Sequence, residues 1–75
     1  MTKEQIDRTF QYHRPFGNMP QRYETIRSKA KELAEVFAAN GFHSRELALA
    51  FTNLQQAVMW ANASIAINEI EPKPE

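Results

Sequence analysis

Few side chains in this sequence are able to do covalent or acid–base chemistry, and they are scattered. There are two histidines, His13 and His43, three serines, Ser28, Ser44 and Ser64, and no cysteine. His13 with Asp7 would be the nearest thing to an acid–base pair, but a histidine in a loop reads as an exposed polar group. The serines lack the strand–turn–helix context of a nucleophile elbow, and no HExxH motif or carboxylate-rich loop is present to hold a metal. Gly17 and Gly41 stand too far apart to build a phosphate-cradling glycine loop. Nucleophile, base and oxyanion donors do not come together. The chain therefore reads as a binding protein and not an enzyme, with no catalytic residue, metal or cofactor expected.

The chemistry that remains is non-covalent. Residues 1–31 carry Lys3, Arg8, Arg14, Arg22, Arg27, Lys29 and Lys31 against Glu4, Asp7 and Glu24, a charge of +4, whereas residues 32–75 carry −4. Four of the eight aromatic residues, Phe10, Tyr12, Phe16 and Tyr23, lie in the basic part. Cations interleaved with flat rings suit an anion that itself has flat rings, such as a nucleotide. The alternative is that the charges solvate helix faces and the aromatics fasten a loose terminus.

Three helical segments must position these groups. Thr2-Lys3-Glu4-Gln5 matches a capping box, which predicts a short helix through Arg8, with Thr9–His13 extended or irregular. Arg14–Pro20 reads as a loop, because Pro15 biases Arg14 away from helix and Gly17-Asn18 is a turn signal. A long helix is expected from Pro20 or Gln21 to Asn40, ended by Gly41, with Tyr23, Ile26, Ala30, Leu33 and Phe37 at helical spacing. Ser44 caps a second long helix from Arg45 to about Asn68. Leu47, Phe51, Leu54, Val58, Ala61 and Ile65 form its seam, which fits an antiparallel hairpin with the first long helix.

Trp60, Ala63, Ile67 and Ile70 make a second stripe nearly opposite the seam, at about 100° per residue. One neighbouring helix cannot cover both faces. At 75 residues a monomer is short of core, so the stripe predicts association with further copies and casts Trp60 as an interface anchor. The expected architecture is all-α: one hairpin domain over residues 1–70 and a disordered tail over 71–75, assembled as a homo-oligomer. With a neutral total, a polar start and no run of ~20 apolar residues, the chain reads as soluble and intracellular, with no membrane partner.

Three segments together, Tyr12-His13-Arg14-Pro15, Arg22-Tyr23-Glu24-Thr25-Ile26-Arg27-Ser28-Lys29-Ala30-Lys31 and Ala57-Val58-Met59-Trp60-Ala61-Asn62-Ala63-Ser64-Ile65-Ala66, resemble the phage anti-CBASS and anti-Thoeris sponge family. The resemblance spans roughly residues 9–68. It implies a small helical protein forming a compact oligomer, often a hexamer, in the cytoplasm of an infected bacterium. There it would sequester a cyclic nucleotide second messenger, a cyclic dinucleotide or a cyclic ADP-ribose isomer, between protomers and without cleaving it.

By the same resemblance Tyr12 stacks on a base, and Arg27, fifteen positions later, meets a phosphate. An asparagine near the ligand in similar sponges implies the same role for Asn62. The arginine that some members use in the second helix for a cyclic trinucleotide has no counterpart from Asn62 to Ile67, so a site of that design is not expected. Each residue has a plainer alternative. Tyr12 would pin the N-terminal segment, Arg27 would lie on a solvated face beside Glu24, and Asn62 would bond between helices. Arg27 and Lys29 flank the apolar stripe about 80° to either side. One of them faces a pocket, with Arg27 preferred and Lys29 second. Lys31 is expected to pair with Glu35 at i+4. The rival functions are a small nucleic-acid-binding module and a structural adaptor; a nucleic-acid polymer is not the expected partner.

Overall fold

The computed structural model describes residues 1–71 as three helices: α1 (Lys3–Phe10), α2 (Met19–Asn40) and α3 (Arg45–Asn68). The capping box forms as the sequence predicts. Thr2 Oγ1 accepts from the Gln5 N–H at 3.1 Å, and Gln5 Oε1 accepts from the Thr2 N–H at 2.8 Å. Ser44 likewise caps α3 by accepting from the Leu47 N–H at 3.2 Å. The tail expected over 71–75 lies outside the described residues from position 72 onward.

Two boundaries differ from the sequence reading. Helix α1 continues through Thr9 and Phe10, which were expected to be extended. Two groups outside the regular ladder satisfy its last turns: the Thr9 hydroxyl donates to the Gln5 carbonyl at 2.8 Å, and His13 Nε2–H donates to the Arg8 carbonyl at 2.5 Å. His13 is thus a half-buried helix cap and not an exposed loop residue. Helix α2 starts at Met19, one residue earlier than expected. Pro20 sits in its first turn, where its missing N–H costs no helical bond.

The two glycines do different work. Gly17 adopts φ +57 in the turn before α2, with open space where a Cβ would stand, so the backbone conformation is what favours glycine there. Gly41 ends α2 as expected, but with φ −80 and not in the left-handed region. A Cβ at Gly41 would lie 2.6 Å from Leu47 Cδ1 and 2.8 Å from the Phe37 carbonyl oxygen. The Leu47 side-chain end is able to shift, but the Phe37 backbone carbonyl is not, so the end of α2 favours glycine.

Helices α2 and α3 pack as the expected hairpin. All six seam residues of α3 are half-buried, facing Tyr23, Ile26, Ala30, Ala34 and Phe37 of α2. Phe37 and Phe51 meet edge to face with ring centroids 5.9 Å apart, a favoured aromatic geometry. Leu33, assigned to the seam by its spacing, is 44% exposed. The molecule is only 12 Å through its thinnest direction, so the helices form one layer. Met19 alone among the described residues is buried.

Part of the second stripe of α3 is covered from within the chain. Helix α1 lies against the C-terminal part of α3, and Arg8 donates to the Ile67 carbonyl. Ala63 and Ile67 are half-buried, while Met59, Trp60 and Ile70 stay largely exposed. No helix among the described residues is long and apolar enough to cross a membrane.

Candidate functional site

The hairpin has two flanks, and they differ chemically. On one, Tyr23 and Arg27 of α2 face Asn62, Ala63 and Ala66 of α3 across a groove of about 370 Å³. On the other, Lys29 lies beside a groove of about 310 Å³ whose remaining lining is wholly apolar: Ile26, Ala30, Leu33, Leu54, Ala57, Val58 and Ala61. The positions of Arg27 and Lys29 on opposite sides of the stripe follow from the helical repeat.

Asn62 gives the first flank its character. Its Oδ1 is shut off from solvent and has no hydrogen-bond partner among the described residues. The interhelical bond weighed for it from the sequence is therefore not made by this oxygen. A buried carbonyl left unpaired is costly, and such an atom in a native fold calls for a donor from elsewhere. Ala63 and Ala66 line the groove beside Asn62.

Arg27 donates to Glu24, one turn earlier, and remains 68% exposed. Glu24 also accepts from the Ser28 hydroxyl at 3.1 Å. An exposed pair of this kind contributes little to stability, so the guanidinium is held in place at small energetic cost to any later exchange of partner. Arg27 also borders a second groove of about 460 Å³, with Lys31, Phe51, Gln55 and Met59 among its lining. Lys29 pairs with Glu32 at 3.3 Å. The expected Lys31–Glu35 pair does not form among the described residues; the i,i+3 pairs of Arg27 and Lys29 form instead.

Tyr12 sits elsewhere. It lines a separate groove of about 310 Å³ with Arg14, Phe16, Glu69, Ile70 and Glu71 among others, and its side chain is 81% exposed. Exposure to that degree excludes the pinning role within the chain. Arg8, His13, Phe16 and Met19 fasten the N-terminal segment instead. Within the chain, then, Arg27 and Asn62 share a groove, and Tyr12 does not enter it. Ala66 borders both grooves.

Much of the basic excess of the first 31 residues is spent at the C-terminal end of α3. Arg8 reaches the Ile67 carbonyl, Arg14 meets Glu71, and Arg22 grips both carboxylate oxygens of Glu69, one at 2.7 Å. Cations here also complement the negative end of the helix dipole. The bidentate bond to Glu69 raises the pKa of Arg22. In return Arg22 holds the Glu69 carboxyl below the usual carboxylate range.

Tyr23 was placed in the apolar seam by its spacing. Its ring does pack there, half-buried, and its hydroxyl approaches Met19 Sδ at 3.9 Å, yet it also walls the Arg27–Asn62 groove. The available signal was a tyrosine, with a polar end, at the edge of a seam otherwise built of aliphatic and phenyl side chains. No cluster of three or more His, Asp or Glu side chains suited to a metal occurs among the described residues.

With this geometry in place, one family model matches the chain: the Acb2/Tad1 hairpin domain, over residues 2–66. No curated protein and no solved structure matches it.

Proposed function

We propose, from the premise that this chain belongs to the Acb2/Tad1 hairpin-domain family, that it sequesters cyclic nucleotide immune second messengers at interfaces between its own copies. The family is the non-catalytic anti-CBASS and anti-Thoeris sponge family, and the chain is not an enzyme. The finer reading is ours. The ligand is a cyclic dinucleotide or a cyclic ADP-ribose isomer, held intact in the cytoplasm of an infected bacterium so that CBASS or Thoeris defence is not triggered.

The observation that carries this reading is the groove shared by Arg27 and Asn62. A guanidinium supplies the fork for a phosphate. The unpaired Asn62 Oδ1 is an acceptor for an N–H or O–H, such as a base or a ribose offers. The exposed Tyr12 ring offers a stacking surface. Because Tyr12 and Arg27 line different grooves of one protomer, a second copy completes the site, and a two-fold interface presents each residue twice. Exposed Met59, Trp60 and Ile70 provide the apolar surface for that assembly, for which a hexamer is the expected form. Arg27 is preferred for the phosphate, with Lys29, which pairs with Glu32 on the apolar flank, as the second candidate.

A nucleic-acid-binding role is disfavoured by the neutral total and by Glu32 and Glu35, which follow directly on the basic part. The test is a thermal-shift screen against cyclic di-AMP, cyclic GMP–AMP, cyclic trinucleotides and cyclic ADP-ribose isomers. A ligand that binds only the native state raises the melting temperature by mass action, and denaturing the complex returns it unchanged. No shift with any of them, or recovery of cleaved ligand, contradicts the proposal.

A further inference from the structure

The three arginines around the end of α3 are engaged to different degrees. Arg22 grips Glu69 through two nitrogens, and Arg8 is half-buried against the Ile67 carbonyl. Arg14 meets Glu71 through one nitrogen only, at 2.5 Å, and its side chain is 69% exposed. It also differs in position, lining the same groove as the exposed Tyr12 ring, together with Glu71.

We propose that Arg14 is a second anion-binding residue of the nucleotide site, and that Glu71 is an internal competitor for it. This inference rests on the sponge reading above. A carboxylate and a phosphate oxygen compete for the same guanidinium fork. Glu71 uses one donor of that fork; a phosphate can take two in parallel. An exposed ion pair of this kind is held weakly, so an arriving phosphate displaces the carboxylate into solvent without disturbing the helices. A base stacked on Tyr12 brings its attached phosphate into the groove where Arg14 stands. The Glu71 carboxylate therefore sets how tightly an anion must hold in order to stay.

Calorimetric titration with cyclic di-AMP, cyclic GMP–AMP and cyclic ADP-ribose at constant ionic strength tests this. The proteins compared are the wild type, Glu71→Gln, Arg14→Ala, the double variant, and Glu35→Gln as a control for the loss of one negative charge elsewhere. Glu71→Gln tightens binding about two- to fivefold, the scale of an exposed ion pair, and Glu35→Gln does not. Arg14→Ala weakens binding about tenfold, the scale of a charge-assisted hydrogen bond. In the Arg14→Ala background Glu71→Gln has no further effect. An equal gain from Glu71→Gln in both backgrounds, or no gain in either, overturns the competitor. Unchanged binding by Arg14→Ala overturns the assignment of Arg14 and leaves the sponge reading standing. If no protein, Glu71→Gln included, binds any of the three probes, both fall together.

Discussion

The two flanks of the hairpin are built from the same helices, and each carries one cation of α2 set about 80° from the seam. Lys29 borders a groove otherwise lined by aliphatic side chains, and its ammonium pairs with Glu32. Arg27 borders a groove that includes a tyrosine and an asparagine with a buried, unpaired oxygen. A cation beside an aliphatic wall finds no polar partner on the facing helix. A cation beside an unmet acceptor marks a surface whose hydrogen bonding is incomplete until something else arrives. The two cations look equivalent on a helical wheel; their neighbours on α3 separate them.

The largest effect that would sharpen this contrast is on Arg27. Arg27→Ala is expected to weaken cyclic nucleotide binding on the order of 100-fold, since a symmetric site loses two charge-assisted contacts. Lys29→Ala, measured in the same titration, should change it less than about twofold. Equal losses would erase the distinction between the flanks. Next is Tyr12→Ala, which removes a stacking surface and should cost about tenfold or more in affinity. Its melting temperature in the absence of ligand should stay at the wild-type value, because the ring is 81% exposed.

Asn62→Ala separates binding from folding more finely. It removes an unpaired buried acceptor, so the melting temperature without ligand should hold or rise, while affinity falls about fivefold for the loss of one neutral hydrogen bond. A fall in both would mean that Asn62 is paired in the free protein.

The smallest effect concerns the arginine-rich end of α3, away from both flanks. The Glu69 carboxyl is depressed below its ordinary value of 4.5 by Arg22. Its contribution to stability is complete above that value and is lost as pH falls through the depressed one. In melting curves taken from about pH 6 to pH 3, Glu69→Gln should flatten the acid decline slightly.

Much of this architecture is legible in the sequence, because it is local. Thr2 with Gln5, Ser44 before Arg45, and the 3–4 spacing from Leu47 to Ile65 each specify a feature within a few residues. What was not legible depends on distant partners. Helix α1 outlasts its expected end because His13 returns to the Arg8 carbonyl. Gly41 is favoured by the closeness of the Phe37 carbonyl and the Leu47 side chain and not by its own backbone angle. Ile67 is partly covered by α1 from within the same chain. In the candidate site, the helical repeat set Arg27 and Lys29 apart, but only the register of α3 against α2 places Asn62 and Tyr23 beside Arg27. The same register leaves Tyr12 in a different groove. The sequence spacing of fifteen between Tyr12 and Arg27 does not convey that separation.

The most direct measurement is nuclear magnetic resonance of the labelled protein during titration with whichever cyclic nucleotide raises its melting temperature. It would follow the Asn62 side-chain amide, the Arg27 Nε–H and the Lys29 backbone. The Asn62 and Arg27 signals should move saturably and together, with the Lys29 signal still. Movement confined to the Lys29 flank, or a bound ligand that leaves the Asn62 amide unmoved, would contradict the account.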